Sequence, residues 1–419
     1  MIRIGKPYIE IDGNKARLAA DIRTDNFDKK MFFEVDECYK DYLCTEVGDA
    51  FLVGLLNYAF ATGQDIESEA PISERLLYQI KTYFLPVMPE ARPKTYKPIS
   101  IEADAYKGKI ETRGCVGTSA SGGVDSFYSI CKHVNNTYTK YNLTHLLIAN
   151  QFNIYNDEKE VREQFKRLVE DTKKIPANYN LELVTIYTNH HEFLFDGFVQ
   201  EYSLRICSYV LALQKLFGVY YVSSGVPIKL FEFANHDSDG FDVFNLSVIS
   251  NDQVTFYSSG GEVARTEKIK YIADDKFVQK SLKVCNDNEQ ENCGKCEKCM
   301  RTMLSLDIVG KLEAFDQSFP IEKFRQNKNS YLSLIEGNYI ESSIDLLDSI
   351  KRYGYRVPIS SVLMGRICYR FAHNIKEMLK KWNWLREIYF NLKIDFIIYG
   401  SEKAKVYRYG TKYEIKEAK

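Results

Sequence analysis

The chain has 419 residues, 45% apolar and 27% charged, with 56 Lys+Arg against 57 Asp+Glu and a formal net charge of −1. That length allows two or three domains with real cores, and near-neutrality excludes a general nucleic-acid binder or an acidic tail protein. Ten cysteines, with no apolar signal segment in Met1–Asn14, point to a reducing, cytoplasmic setting.

The first region, 1–108, reads as an N-terminal α+β accessory domain. Asp49–Thr62 carries Phe51, Leu52, Leu55, Leu56 and Phe60 near helical spacing. Gly54 and Asn57 interrupt it, and it is too short to cross a bilayer. A second amphipathic run follows at Ser73–Phe84, and the Pro- and Lys-bearing stretch Pro86–Pro98 reads as a linker. Residues 31–90 hold eleven acidic against three basic residues.

From 109 to 310 short apolar runs alternate with longer amphipathic ones. His145–Ala149, Leu181–Ile186 and Val219–Ser223 read as buried strands; Glu158–Lys173 and Phe198–Phe217 read as the helices between them. Alternation of this kind predicts an α/β, doubly wound parallel sheet. Residues 311–419 read as a helical, basic region, with candidate helices Tyr339–Arg352 and Ser360–Trp384. Thirteen basic against six acidic residues lie in 366–419. Such an end suits RNA phosphates or an acidic partner, although solvated faces, or attraction between the acidic and basic regions, are the simpler explanation. The two outer regions are expected to be α-rich flanks of the central one.

The sharpest signal is Cys115–Ser129, CVGTSASGGVDSFYS. An apolar stretch leads through Ser119 and Ser121-Gly122-Gly123-Val124-Asp125-Ser126 into an amphipathic helix. Two glycines let the main chain approach an anion closely, serine hydroxyls can donate to it, and the helix start and its dipole favour negative charge. Asp125 beside a polyphosphate makes sense as a partner for Mg²⁺. Val124-Asp125-Ser126 stands where a Walker A loop needs Gly-Lys-Ser/Thr.

Cys285, Cys293, Cys296 and Cys299 form C-x7-C-x2-C-x2-C. Four thiolates at this spacing suit a closed, tetrahedral structural Zn²⁺ site, with Gly294 in the turn. An iron–sulfur cluster and thiol chemistry are the alternatives. Cys115 and Cys131 flank the glycine loop as candidate reactive thiols, while a lone cysteine is more often a core residue. His190-His191-Glu192 suggests either a metal or acid–base site or a polar loop.

The Ser-Gly-Gly-Val-Asp-Ser run resembles the signature of the PP-loop ATP pyrophosphatases. That resemblance implies a PP-loop fold, cleavage of ATP between the α- and β-phosphates, and a substrate adenylate. It further implies that Ser119, Ser121, Gly122, Gly123, Val124, Asp125 and Ser126 hold ATP, with Ser121, Asp125 and Ser126 catalytic. Gly225, in the Ser223-Ser224-Gly225 turn, and Arg265 are expected near the nucleotide, and Lys268 to neutralise the leaving pyrophosphate. With the late cysteine cluster and Thr266-Glu267-Lys268-Ile269, residues about 110–305 are similar to the 7-cyano-7-deazaguanine synthases of queuosine biosynthesis. Gly225–Asp242 lacks that family's Tyr-Pro-Asp-Cys substrate motif, and the flanking regions are additional.

The expected function is therefore an AMP-forming C–N ligase that adenylates a carboxylate on a deazapurine-like molecule for attack by ammonia or an amine. The expected cofactors are ATP, Mg²⁺ and Zn²⁺, with no membrane partner. The basic C-terminus is expected to meet a protein or tRNA acceptor, and a homodimer is an open expectation. Other readings are an anti-phage enzyme attaching a deazapurine to protein, a tRNA-modifying sulfurtransferase, and a non-catalytic ATP sensor.

Overall fold

A computed structural model describes residues 1–150, 158–194, 201–233, 238–285, 291–338, 340, 342–369 and 374. Its strands are β1 (Ile2–Ile4), β2 (Tyr8–Asp12), β3 (Lys15–Arg23), β4 (Asp28–Asp36), β5 (Ile66–Ser68), β6 (Ile72–Ser73) and β7 (Ile101–Glu102). They continue with β8 (Ala105–Tyr106), β9 (Cys115–Ser119), β10 (His145–Ala149), β11 (Glu182–Thr188), β12 (Phe217–Ser223) and β13 (Thr255–Ser259). Eleven of them make one sheet in the order β13-β12-β9-β10-β11-β4-β3-β1-β5-β7, with β2 on β3; β6 and β8 pair apart. The fold is α/β around a mostly parallel sheet, with many helices.

The chain divides into two compact units, Met1–Ser121 with Asp125–Val263, and Gly122–Val124 with Ala264–Lys419. These divisions fall elsewhere than the expected boundaries at 108 and 310, and strand pairing explains the first of them. Strand β4 runs antiparallel to β11, Tyr187 opposite Glu34 and Thr188 opposite Phe33. Side chains extend this short seam. Thr188 Oγ1 donates to the Phe32 carbonyl (2.6 Å), Phe32 N–H donates to Asn189 Oδ1 (3.0 Å), and Asn189 Nδ2 donates to the Lys30 carbonyl (2.8 Å). Residues 1–108 therefore bring eight strands, not mainly helix, and six of them continue the central sheet.

Strands β9 to β13 are parallel neighbours. Strands β10 and β11 lie to one side of β9, and β12 and β13 to the other. The strand order thus reverses between β9 and β12, which opens a crevice at the carboxyl ends of those two strands. Strand β10 is buried at all five positions, as a strand covered on both faces must be.

Helix Asp49–Thr62 matches the expected span and is buried from Asp49 to Ala61, ending on Gly63 at φ 70°. Asp49 is its one buried charge. It accepts from Ser73 N–H (2.9 Å), Ser73 Oγ (2.5 Å) and Asn251 Nδ2 (3.0 Å), the partners that a carboxylate away from water requires. The expected linker at Pro86–Pro98 is in part helix. The Glu74–Gln79 helix continues through a wider turn, Ile80–Phe84, into helix Leu85–Ala91. Pro86 lies within this continuous run just after the wider turn, where it has no N–H to give to the α-helical ladder.

The second unit is helical: Arg265–Ile272, Lys276–Ser281, Glu297–Ile308, Ile321–Glu336, Ser343–Arg352 and Ile359–Met364. Its expected helix Tyr339–Arg352 starts later, at Ser343. The expected helix Ser360–Trp384 is described as far as Tyr369, and the basic C-terminal stretch beyond it lies outside the described residues. Among the described residues no helix is long and apolar enough to cross a membrane.

Candidate functional site

Strand β9 is buried from Cys115 to Thr118 and delivers Ser119 to the crevice. Gly117 makes the close packing behind it possible. A Cβ there would lie 2.6 Å from the Phe217 ring and 2.8 Å from the Tyr220 ring. Ser119 Oγ and Tyr220 OH are 2.9 Å apart, and burial pushes the Tyr220 phenol well above its ordinary range.

The glycine loop is closed by one hydroxyl. Ser126 Oγ, almost fully buried, accepts from Ser121 N–H (3.1 Å) and donates to the Ser119 carbonyl (2.9 Å). Its hydrogen bonds therefore shape the loop. Ser121 is exposed. Gly122 has φ +74°, a region costly for any residue with a side chain. Helix Val124–His133 then begins with Asp125 in its first turn. A glycine turn feeding a helix start can receive an anion through main-chain N–H groups.

The neighbouring strand end is brought up beside it. Thr118 Oγ1 donates to the Tyr221 carbonyl (2.8 Å), and Ser223 Oγ donates to Ser129 Oγ (2.8 Å), which donates in turn to the Asp125 carbonyl (3.1 Å). These bonds tie the end of β12 to helix Val124–His133, and the Ser223–Gly225 turn that follows leaves Gly225 exposed.

Sequence reasoning missed the next wall. A small cleft between the ends of β12 and β13 is lined by Ser224, Ile228, Phe231, Asp242, Ser258 and Gly261. Ile228 N–H donates to the Gly261 carbonyl (2.7 Å) and Ser224 N–H to the Ser259 carbonyl (2.9 Å), so both walls are fixed. Asp242, at the start of helix Asp242–Ile249, is buried. The available signal was Asp242 opening an apolar run. Past β13, Glu262 is also anchored. Burial alone would raise its pKa, but the Lys132 ammonium, its own main chain and the Tyr128 hydroxyl hold it down to about 2. Its carboxylate accepts from Tyr128 OH (2.8 Å) and Gly260 N–H (2.9 Å).

In the second unit the four cysteines converge, with one sulfur from each within 4.8 Å of the others. Cys285 Sγ and Cys296 Sγ are 3.9 Å apart, Cys293 Sγ and Cys299 Sγ 4.0 Å. A disulfide needs about 2.05 Å, whereas four thiolates at about 2.3 Å from a tetrahedral zinc lie about 3.8 Å apart. The residues fit such an ion, and the cluster could hold a metal such as zinc. The main chain supports it: Cys296 N–H points at Cys293 Sγ (3.3 Å) and Cys299 N–H at Cys296 Sγ (3.5 Å). Gly294 is required twice over, by φ +74° and because a Cβ would meet Pro320 Cγ at 2.3 Å.

Asn292 was not singled out in the sequence and holds this loop. Its Oδ1 accepts from Val284 N–H (2.9 Å) and Cys285 N–H (3.1 Å). Its Nδ2 donates to the carbonyls of Leu282 (2.9 Å) and Ser318 (2.8 Å).

Arg265 opens helix Arg265–Ile272, and Lys268 in the same helix is completely buried. Lys268 is thus no solvated surface residue. Cys115 is buried at the amino end of β9 and Cys131 lies 3.7 Å from Tyr179 OH. Burial, only partly offset by Arg113, raises the Cys115 thiol. His190 is buried with Nε2 2.7 Å from the Gly54 carbonyl, and Glu192 pairs with Lys29 (2.8 Å). Among the described residues these groups stand in no cluster of three or more potential metal ligands.

Comparison with family models, with curated proteins and with solved structures returns no match for this chain.

Proposed function

We propose that this chain is an AMP-forming ATP pyrophosphatase of the PP-loop type, which activates a small-molecule carboxylate for attack by ammonia or an amine. The observation that carries this reading is the Ser119–Ser126 loop. It sits at the carboxyl end of β9, where the strand order reverses, and Ser126 holds it closed ahead of helix Val124–His133. Main-chain N–H groups of the loop and helix start would receive the phosphates, and Asp125 would face Mg²⁺. ATP with Mg²⁺ supplies the leaving pyrophosphate. Catalysis by such a site is positioning and charge stabilisation. Lys268 and Arg265 carry the cationic role only through the family resemblance. Zinc in the four-cysteine cluster would be a closed structural staple.

The acceptor would lie in the cleft beside Ser224, Phe231 and Asp242, whose apolar walls and buried carboxylate suit a flat molecule with N–H donors. A deazapurine carboxylate meets that description. The thiol-transfer alternative is disfavoured by Cys115, which lies four residues along β9 from Ser119, about 13 Å of extended strand.

The test is AMP and pyrophosphate release from ATP·Mg²⁺, wild type against Asp125→Ala, with a panel of deazapurine carboxylates and amines. AMP dependent on one acceptor and lost in the variant is the expected result. Tight ATP binding with no AMP under any condition would replace the reading with nucleotide sensing.

A further inference from the structure

The second unit contains a continuous main-chain path from the four-cysteine cluster to the glycine loop. Gly122 belongs to this unit, and its carbonyl accepts from Lys283 N–H at 3.0 Å. Lys283 lies two residues before Cys285, and the chain on both sides of it is clamped by a single side chain. Asn292 Nδ2 holds the Leu282 carbonyl, and Asn292 Oδ1 holds the N–H groups of Val284 and Cys285. Asn292 itself directly precedes Cys293, and Cys299 Sγ lies 3.9 Å from its Oδ1. The amide is thus buried against two of the four sulfurs' own segments while fixing the donor that reaches Gly122.

Gly122 is the residue at which such a bond has most effect. Its φ of +74° belongs to a region where glycine moves freely among several conformations. A hydrogen bond to its carbonyl selects one of them and so fixes the direction of the N–H groups that follow.

We propose that Asn292 is a positioning residue through which metal binding at the cysteine cluster sets the conformation of the glycine loop. Metal held by Cys285 and Cys293 fixes both ends of the Asn292 clamp, the clamp fixes Lys283, and Lys283 N–H fixes Gly122. By linkage the effect is reciprocal: metal raises nucleotide affinity, and nucleotide raises metal affinity by the same factor. The proposal rests on the reading that Ser119–Ser126 binds nucleotide phosphates.

The experiment uses the full zinc-loaded chain and a non-hydrolysable ATP analogue with Mg²⁺. Calorimetry gives nucleotide affinity, and a chromogenic chelator gives the rate of zinc release with and without the analogue. Wild type is expected to release zinc several-fold more slowly when the analogue is bound. In Asn292→Ala, analogue affinity should fall about three- to tenfold, the worth of one or two main-chain hydrogen bonds, and the analogue should no longer slow zinc release. Should Asn292→Ala fail to fold, Lys283→Pro serves. It removes the N–H together with the lysine side chain, for which Lys283→Ala is the control that keeps the N–H, and Leu282 at φ −64°, ψ 119° already has the extended conformation required before proline. Lys283→Pro should keep one zinc per chain yet show the same weakened affinity and the same loss of protection. Unchanged affinity and unchanged protection in the variant overturn the coupling while leaving the loop reading intact. No analogue binding by the zinc-loaded wild type sinks the loop reading, and this proposal with it.

Discussion

Ser126→Ala isolates the hydroxyl that closes the glycine loop. Two main-chain partners lose it together, the Ser121 N–H at 3.1 Å and the Ser119 carbonyl at 2.9 Å. Each such bond contributes about 0.5–1.5 kcal/mol net, and a group left unpaired costs more where water cannot reach it. Ser121 is exposed and can be rehydrated, whereas Ser119 is half-buried. The expected cost is therefore about 1–3 kcal/mol, or a fall of about 3–8 °C in Tm for a unit of this size. Because those two bonds set the loop's shape, ATP affinity should fall about tenfold or more beyond the stability loss. Differential scanning fluorimetry with calorimetric ATP titration reads both quantities. A variant that melts within 1 °C of wild type and binds ATP equally well would refute the assignment of Ser126 as the loop's closure.

Two further outcomes follow from packing and titration. Gly117→Ala forces a methyl to within 2.6 Å of Phe217 and 2.8 Å of Tyr220, so overpacking should cost about 1–3 kcal/mol; an unchanged melting temperature would show that the rings yield freely. Burial, with Arg205 adding to it, holds the folded His190 down to about 3, while an unfolded histidine titrates near 6.5. The folded pKa is the lower one, so this contribution is complete above pH 6.5 and drains away as pH falls toward 3, by up to about 1.4 kcal/mol per unit. Urea unfolding at pH 7 and pH 5 should show wild type losing about 1–2 kcal/mol more than His190→Gln. Equal losses would mean that His190 is protonated in the folded protein.

Local chemistry made part of this molecule legible in sequence. Asp49–Thr62 was readable at both ends because its apolar residues are dense and Gly63 supplies a left-handed stop. Strand β10 was readable because a strand buried on both faces is an uninterrupted apolar run. The cysteine spacing and the glycine loop carry their chemistry in contiguous residues. Strands β3 and β4 carry the period of two in the open: Ala16, Leu18, Ala20 and Ile22 are buried, alternating in β3 with Lys15, Arg17, Asp21 and Arg23, and Lys15 and Arg17 pair across to Asp36 (2.5 Å) and Glu34 (2.6 Å). That alternation was legible and was passed over. The β4–β11 pairing joins segments about 150 residues apart, and no local pattern encodes it. Asn292 stayed invisible for another reason. In a loop rich in Asn, Asp and Gly it reads as a turn residue, and only its four main-chain contacts distinguish it.

The seam between β4 and β11 also bears on how the protein comes to be made. During synthesis β1 to β4 emerge long before β11, and they must wait with one side of β4 open until the chain has grown past Thr188. Unsatisfied strand edges of that kind invite pairing with other chains. Asp28, Lys29, Lys30 and Asp36 put charges along β4, and charged side chains on an edge strand disfavour such pairing. Conversely, a chain begun at residue 109 would bare the β11 edge and lose the buried Asp49–Thr62 helix. The amino-terminal hundred residues thus supply early-made strands of the sheet, and the parallel strands are completed against them.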